Sequence, residues 1–421
     1  MGGPVFKTPP PKKREEMLLV PYAHAGVCCI CVSYAVGMDT AGVPASAQLA
    51  HYVEHLVATF PTADSKRLEA LAVTTNASTD GDITSYYAAG NTESVCGAWL
   101  PVLARAVHSP DVRDDRLVKE ARAVVTELRM VAADPSVRLA ECIARVEAPH
   151  SHETSIAQQI AYAQLLASDP AMARRAALEF MAMHYSRRAH VTVVAHVDSH
   201  AHVAARVARY FGHLDTPVVH ARDAALASGF RYGKEHVAYR DDVETAHVSL
   251  RVAIPDVGRF ATWALARIMA VFAQRLLRET FGSVYHAGVR PVFFARNEAE
   301  RRSGRYRAWM EVSCQCAHDH VRAVTELVRT RVFELDVTDS DVASWKATER
   351  MGLYTRPESI LDTAQRCARE DMLGLPALSA PGVVAELERV SVGSVRRVSD
   401  ALRANVGARK LVVYVVTRKP T

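Results

Sequence analysis

The sequence predicts an α+β chain of two similar α/β-sandwich domains, each a sheet packed by helices. Three observations carry that prediction. Apolar, β-rich segments alternate with longer amphipathic ones. The order strand, helix, strand, helices, strand occurs twice. A stretch rich in Pro, Gly, Ser and charge, near Pro217 to Glu235, separates the two occurrences. The 421 residues suit two or three domains, and 49% apolar with 23% charged residues is ordinary globular usage. That composition excludes a disordered, collagen-like or supercharged chain. The boundaries read as an N-terminal arm at 1–25, a first domain at 26–217, a linker at 218–235 and a second domain at 236–421.

In the first half, Gly26 to Val36 contains VCCICVSYAV and reads as a buried strand. Ala45 to Ala58 reads as a helix. Asn76 to Ala89 reads as a strand or hairpin turning at Asp80-Gly81-Asp82. Helices are expected at Ala98 to Ala106, at Arg116 to Ala132, around Ser136 to Ala144, at Ser155 to Ala167 and at Pro170 to Tyr185. In the last of these, Ser168-Asp169 caps the start and Pro170 suits the first helical position. Val191 to Val197 is a strand and Ala201 to Tyr210 a helix. The second half repeats the order: strand Ala246 to Ile254, helix Thr262 to Glu279, strand Tyr306 to Cys316. Helices follow around His320 to Val332, Asp339 to Met351, Ser359 to Asp371 and Ser391 to Ala404. Lys410 to Val416 closes the fold as a strand.

Net charge is +5, from 51 Lys and Arg against 46 Asp and Glu. So small an excess gives no reason to expect a nucleic acid partner. No stretch approaches the roughly 20 uninterrupted apolar residues of a membrane span. Eight cysteines are too sparse for a disulfide framework and read as buried thiols in a reduced compartment. The segment MGGPVFKTPPPKKREEM lacks the apolar core of a secretory signal, and its prolines and Glu15-Glu16 do not suit a transit helix. A cytosolic chain, or one shown without a removed presequence, fits it.

The sharpest chemical signal is His-Tyr-Val-Glu-His at 51–55. On a helix, positions i and i+4 share a face, so His51 and His55 can reach one metal ion. Imidazole nitrogen suits zinc, and Glu54 is placed to take a proton from water beside it. This is the inverted zinc-peptidase pattern H-x-x-E-H. A third ligand is needed, and Arg116 to Ala132 offers Glu120 and Glu127, two turns apart on one face. By pattern alone those two also fit a solvated charged face, because Lys119, Arg122 and Arg129 accompany them. Cys314, Cys316, His318 and His320 alternate, but they read as structural, as do His196, His200 and His202. Arg296 to Tyr306 reads as a charged loop.

Taken together, HYVEH at 51–55, NAST at 76–79 followed by TSYY at 84–87, and EARAVVTE at 120–127 resemble the pitrilysin/insulinase family of inverzincin metallopeptidases. The resemblance spans about the whole chain, from Gly26 to Val416. It implies that Glu127 is the third zinc ligand and that Glu120 supports the site from behind. It implies Glu54 as the catalytic base, Zn2+ as the cofactor, and a substrate peptide lying along the strand at Asn76 and Ala77. In the second half, LRETFGSVY resembles the family's L-R-E-x-x-G-x-x-Y. Arg278 and Tyr285 are then expected to hold substrate and the developing oxyanion. The chain lacks the family's Gly-Thr shortly after the zinc motif, and its segment from His55 to Asn76 is a few residues shorter. The Gly/Ser-rich turn before the Arg is replaced by MAVFAQRL.

Family chains of this size form half of a clamshell, so a homodimer or a heterodimer with a related chain is implied. The resemblance implies a zinc endopeptidase acting on peptides or presequences, like the β subunit of mitochondrial processing peptidase. The alternative is a structural core subunit of respiratory complex III. Both place the chain on the matrix side of the mitochondrion, and a cytoplasmic location is the alternative.

Overall fold

The computed structural model describes residues 13–14, 17–38, 48–134 apart from 82, 137, 139–140, 143, 155–185, 189–211, 233–293 apart from 242 and 285, 306–355, 359–373, 378 and 380–419. The expected linker lies almost wholly outside them, and so do the Arg296 loop and Tyr285. The chain divides into two compact units. One comprises residues 1–129, 152–219 and 357–382, and the other 130–151, 220–356 and 383–421. Neither unit is one continuous half of the sequence.

The first unit holds a six-stranded sheet of β1 (Lys13–Arg14), β2 (Met17–Pro21), β3 (Val27–Tyr34), β4 (Thr74–Thr79), β5 (Thr84–Asn91) and β6 (Ala189–Ala195). Their spatial order is β1-β2-β6-β3-β5-β4. The β2–β6 pair is parallel and the other pairs are antiparallel. Strand β2 lies inside the stretch read from sequence as an arm. Its side chains close the sheet beside β6, where Leu18 and Val20 are buried. The continuous apolar run of β3 follows from burial on both faces. On one face, Cys29 and Cys31 join Leu18, Val20, Tyr87 and Val194 against Ala364, Cys367 and Ala368 of the Ile360–Met372 helix. On the other, the ring of Tyr34 stacks on Tyr185 at 4.0 Å.

Four helices of this unit matter most below: α1 (Gln48–Ala58), α2 (Thr62–Ala70), α3 (Leu100–His108) and α4 (Asp114–Ala132). A π-helical turn at Val95–Trp99 leads into α3.

The second unit has a five-stranded sheet of β7 (Glu235–Tyr239), β8 (Ala246–Val257), β9 (Ala287–Phe293), β10 (Tyr306–Cys316) and β11 (Leu411–Thr417). Its order, β7-β11-β8-β10-β9, repeats β2-β6-β3-β5-β4 of the first unit, including the parallel pair at one side. A π-helical turn recurs after β10 as well, at Val328–Val332. The duplication expected from pattern is therefore a duplication of topology.

One face of this sheet packs on the 23-residue helix Arg259–Phe281, through Val248, Leu250 and Val252 against Ala264, Leu265, Met269 and Leu277. That helix alone among the described residues is long and apolar enough to cross a membrane. Its buried stripe accounts for that composition as a core helix. On the opposite face, Val412, Tyr414 and Val416 pack with Leu139 and Ile143. The seven described cysteines are all free and buried, and burial pushes Cys314 and Cys316 up to about 12 and about 11. Neither belongs to a metal cluster among the described residues.

A charged triad crosses the second sheet. Glu311 on β10 is 3% exposed and stands opposite Arg251 of β8 and Arg290 of β9. Its carboxylate accepts from Ser249 Oγ at 2.9 Å, Arg290 Nε at 2.8 Å and Arg251 Nη2 at 3.3 Å. Burial pushes this carboxyl up, and the two guanidinium charges with their hydrogen bonds more than reverse that, leaving it below the usual carboxylate range. Stability from a lowered carboxyl is fully present above its unfolded value, about 4.3, and is lost as pH falls through the folded one. We predict that Glu311→Ala costs about 3 kcal/mol in urea unfolding at pH 7, because Arg251, Arg290 and the buried Ser249 hydroxyl all lose this carboxylate. The difference from wild type should shrink as the pH falls below about 4.

Candidate metal and catalytic site

Helix α1 builds the site because its two faces differ. Leu49, Ala50, Tyr52, Val53, Leu56 and Val57 are buried in the unit. His51, Glu54 and His55 fall on the remaining face and are half-buried. Helix α4 lies alongside, with Leu117, Ala121, Val124 and Leu128 in the core. That burial sets Glu120 and Glu127 toward α1, seven residues apart on one stripe.

The four side chains meet. Glu127 Oε2 lies 3.3 Å from His51 Nε2 and 3.3 Å from His55 Nε2, and the two imidazole nitrogens are 3.2 Å apart. Three atoms so spaced form one face of a tetrahedron. For bonds of about 2.0–2.1 Å, as zinc makes to imidazole, the tetrahedral edge is about 3.3 Å. The donor set thus fits zinc in both chemistry and size. Among the described residues, this is the only group of His, Cys, Asp and Glu with metal-binding proximity.

Glu120 sits behind His55, its Oε2 3.6 Å from Nδ1, too long for a hydrogen bond but close enough to orient the ring. The Glu120 carboxylate also accepts from Thr59 Oγ1 at 3.2 Å. Burial would raise this carboxyl, but His55, Lys119 and Thr59 hold it below its usual value. For His55, burial acts downward and the carboxylates of Glu120, Glu54 and Glu127 outweigh it, so its pKa is raised. His51 is lowered, first by burial and then by His55. Glu54 is raised by burial, with Thr79 and His55 acting against the shift.

Three supporting residues were not read from the sequence. Arg116, on α4, is largely buried and donates to the Leu56 carbonyl at 2.6 Å and to the Thr59 carbonyl, capping the C-terminal end of α1. Thr59 holds Glu120. Thr79, on β4, donates to Glu54 Oε2 at 2.7 Å. Thr79 belongs to the NAST run, but only Asn76 and Ala77 carried an expected role there. Arg116, which also pairs with Asp111 at 3.3 Å, leaves no sequence signal for its bridge to α1, because the oxygens it bonds there are main-chain ones.

Asn76 and Ala77 lie on β4, the outermost strand of the sheet, with Asn76 exposed. Arg278 lies in the last turn of the Arg259–Phe281 helix, and Gly282 donates to its carbonyl at 2.9 Å from a left-handed conformation with φ 63°. It belongs to the second unit. His196, His200 and His202 do not converge. His200 Nε2 contacts the Ala195 carbonyl at 3.0 Å, and His202 pairs with Glu93 at 3.0 Å. His318 contacts Thr417 and His320 contacts Ser283.

No family model matches the sequence, and no curated protein matches it. Solved structures do share the fold. A protease from Helicobacter pylori is 16% identical with a TM-score of 0.71, over 97% of this chain and 99% of that one. An inactive M16 peptidase domain from Pseudomonas fluorescens is 14% identical with a TM-score of 0.69, over 96% of each chain. A chain of complex III2 from Candida albicans is 13% identical with a TM-score of 0.68, over 95% of this chain and 93% of that one. The periplasmic protease PqqL from Escherichia coli is 14% identical with a TM-score of 0.68, over 96% of this chain but 45% of its own length. The chain has the M16 peptidase fold, the fold of the pitrilysin/insulinase family that its motifs resemble.

The Arg116 bridge yields a prediction. Arg116→Ala removes a charged donor from two carbonyls at the end of α1 and should destabilise the protein by about 2 kcal/mol. Arg116→Lys should recover only part of this, since an ammonium lacks the guanidinium fork. Thermal unfolding of the three proteins measures it.

Proposed function

We propose that the protein is a zinc-dependent endopeptidase of the pitrilysin/insulinase type. The observation that carries this reading is the triangle of His51 Nε2, His55 Nε2 and Glu127 Oε2, with edges of 3.2–3.3 Å. Glu54 stands one residue from His55 on the same helix. Zinc held by His51, His55 and Glu127 would supply Lewis acidity toward water and toward the peptide carbonyl.

The chain's own residues then divide the work. Glu54 takes the proton of the attacking water and returns it to the leaving amine. A carboxyl raised by burial is suited to both steps. Glu120 holds the His55 ring so that Nε2 faces the donor triangle. β4 is an edge strand, and an extended substrate can add along it at Asn76 and Ala77 as a further strand, taking over the Ala77 N–H that the Asn76 side chain accepts at 2.9 Å. Arg278 and Tyr285 keep the role the resemblance implies, holding substrate and the oxyanion. PqqL is about twice the length of this chain. A pair of chains, identical or related, is therefore the proposed working assembly.

A second reading is a core subunit of respiratory complex III on the matrix side of the mitochondrion, favoured by the fold shared with a chain of that complex. Stable co-purification with membrane subunits, without chelator-sensitive cleavage, would select it.

The test of the peptidase reading is hydrolysis of basic, presequence-like peptides by the purified full chain, with and without chelator. We expect cleavage that chelator stops and zinc restores. Glu54→Gln should bind zinc as wild type does and lose turnover by at least about 100-fold, in the range set by general-base catalysis. Full activity in Glu54→Gln would remove Glu54 as the base. Glu120→Gln should weaken zinc binding by about 10- to 100-fold while leaving the three donors in place.

A further inference from the structure

The base has a second partner besides its helix. We propose that Thr79 is a positioning residue that aims the Glu54 carboxylate, so that the edge strand and the base are set by one piece of β-hairpin. The inference rests on the peptidase reading above.

Thr79 ends β4 and lies directly opposite Thr84, which begins β5. Its hydroxyl donates to Glu54 Oε2 at 2.7 Å and is 3.3 Å from Thr84 Oγ1. Thr84 is fully buried and donates its own proton to the Val36 carbonyl at 2.8 Å. Only its lone pairs are then left to face Thr79. The Thr79 proton therefore has two acceptors, Glu54 and Thr84. Donating to Oε2, Thr79 fixes one oxygen of the Glu54 carboxylate and with it the direction in which the other points.

The hairpin holds Thr79 still. In the turn, Asp80 N donates to the Ile83 carbonyl at 2.9 Å and Ile83 N donates to Asp80 Oδ1 at 3.0 Å. The Asp80 carbonyl accepts from Met38 N at 2.9 Å, and the Asp80 carboxylate pairs with Arg369. Asn76 and Ala77, which offer the edge to substrate, are three and two residues away on the same strand. Thr79 touches none of the three metal donors in the hydrogen bonds of the described residues. Its effect should therefore fall on base placement and leave metal binding unchanged.

The experiment compares wild type, Thr79→Val, Thr79→Ser and Glu54→Gln as full chains. The readouts are kcat, KM, zinc affinity by titration, and crystal structures of wild type and Thr79→Val. Valine keeps the shape of threonine and loses the hydroxyl. We expect Thr79→Val to lower kcat by about 10- to 100-fold, with KM and zinc affinity within about twofold of wild type. Thr79→Ser should recover most of kcat, which a purely structural role for the methyl group would not allow. In the Thr79→Val crystals, Glu54 should leave its wild-type position while His51, His55 and Glu127 keep theirs. Wild-type kcat in Thr79→Val, or a Glu54 carboxylate that superimposes on wild type, would overturn the inference while leaving the peptidase reading intact. Wild type as inactive as Glu54→Gln would overturn the peptidase reading and, with it, this inference.

Discussion

The site depends on holding α1 and α4 in one register. An α-helix brings residues i and i+4 together without help, so His51 and His55 share a face once α1 forms. The third donor comes from another helix, and an error of about 1 Å along α4 would open the triangle. The ties that prevent this are polar and span the helix pair. Tyr52 Oη donates to the Leu117 carbonyl at 3.0 Å, Arg116 reaches two carbonyls at the end of α1, and Thr59 reaches Glu120. Each tie satisfies a group that would otherwise be buried without a partner, at a cost of about 1–3 kcal/mol. Leu56, Val57, Val124 and Leu128 bury one side of each helix, but apolar burial is non-directional. The hydrogen bonds fix how far along the helices they meet.

The second unit repeats the sheet but not the site. Its order of strands matches that of the first, and the helix following β8 occupies the place in sequence that α1 holds after β3. That helix, Arg259–Phe281, spends its inner face on Ala264, Leu265, Met269 and Leu277 and carries no His pair. Its strand pairing is braced instead by Glu311 between two arginines. Duplication of a fold therefore preserves what packs the sheet, while the chemistry rests on a few side chains of one copy.

How legible these features were depended on the range of the interaction behind each. The strands β3, β6 and β11 showed plainly, because burial on both faces leaves continuous apolar runs, and β8 and β10 showed by the alternation of apolar and polar residues. Strand β9 did not. Its AGVRPVF contains Arg290 and Pro291, which the outer strand of a sheet tolerates. The assignment of 130–151 and 357–382 to units remote in sequence left no trace in composition. In the site, His51, Glu54 and His55 were legible because the spacing alone carries the chemistry. Glu127 was legible only through the resemblance, since Lys119, Arg122 and Arg129 make α4 look like a solvated charged face. Thr59, Thr79 and Arg116 bond to a carboxylate or to carbonyls far along the chain. Such contacts produce no periodicity.

Charge balance gives a separate reason for a cation at the donor triangle. Glu54, Glu120 and Glu127 surround two imidazoles, and two of these carboxyls are substantially buried. Their combined field raises His55 against the downward pull of burial. That field attracts positive charge of either kind, a proton on His55 or a metal ion at His51, His55 and Glu127. Both need the same lone pairs, so they compete, and the metal binds only by displacing protons. A dication would offset more of the field than one proton does, where the three donor atoms stand at coordination spacing. The cost of burying the carboxylates would thus be recovered most fully with a metal bound. Glu54, which is not one of the three donors, would then be left for the proton transfer proposed above.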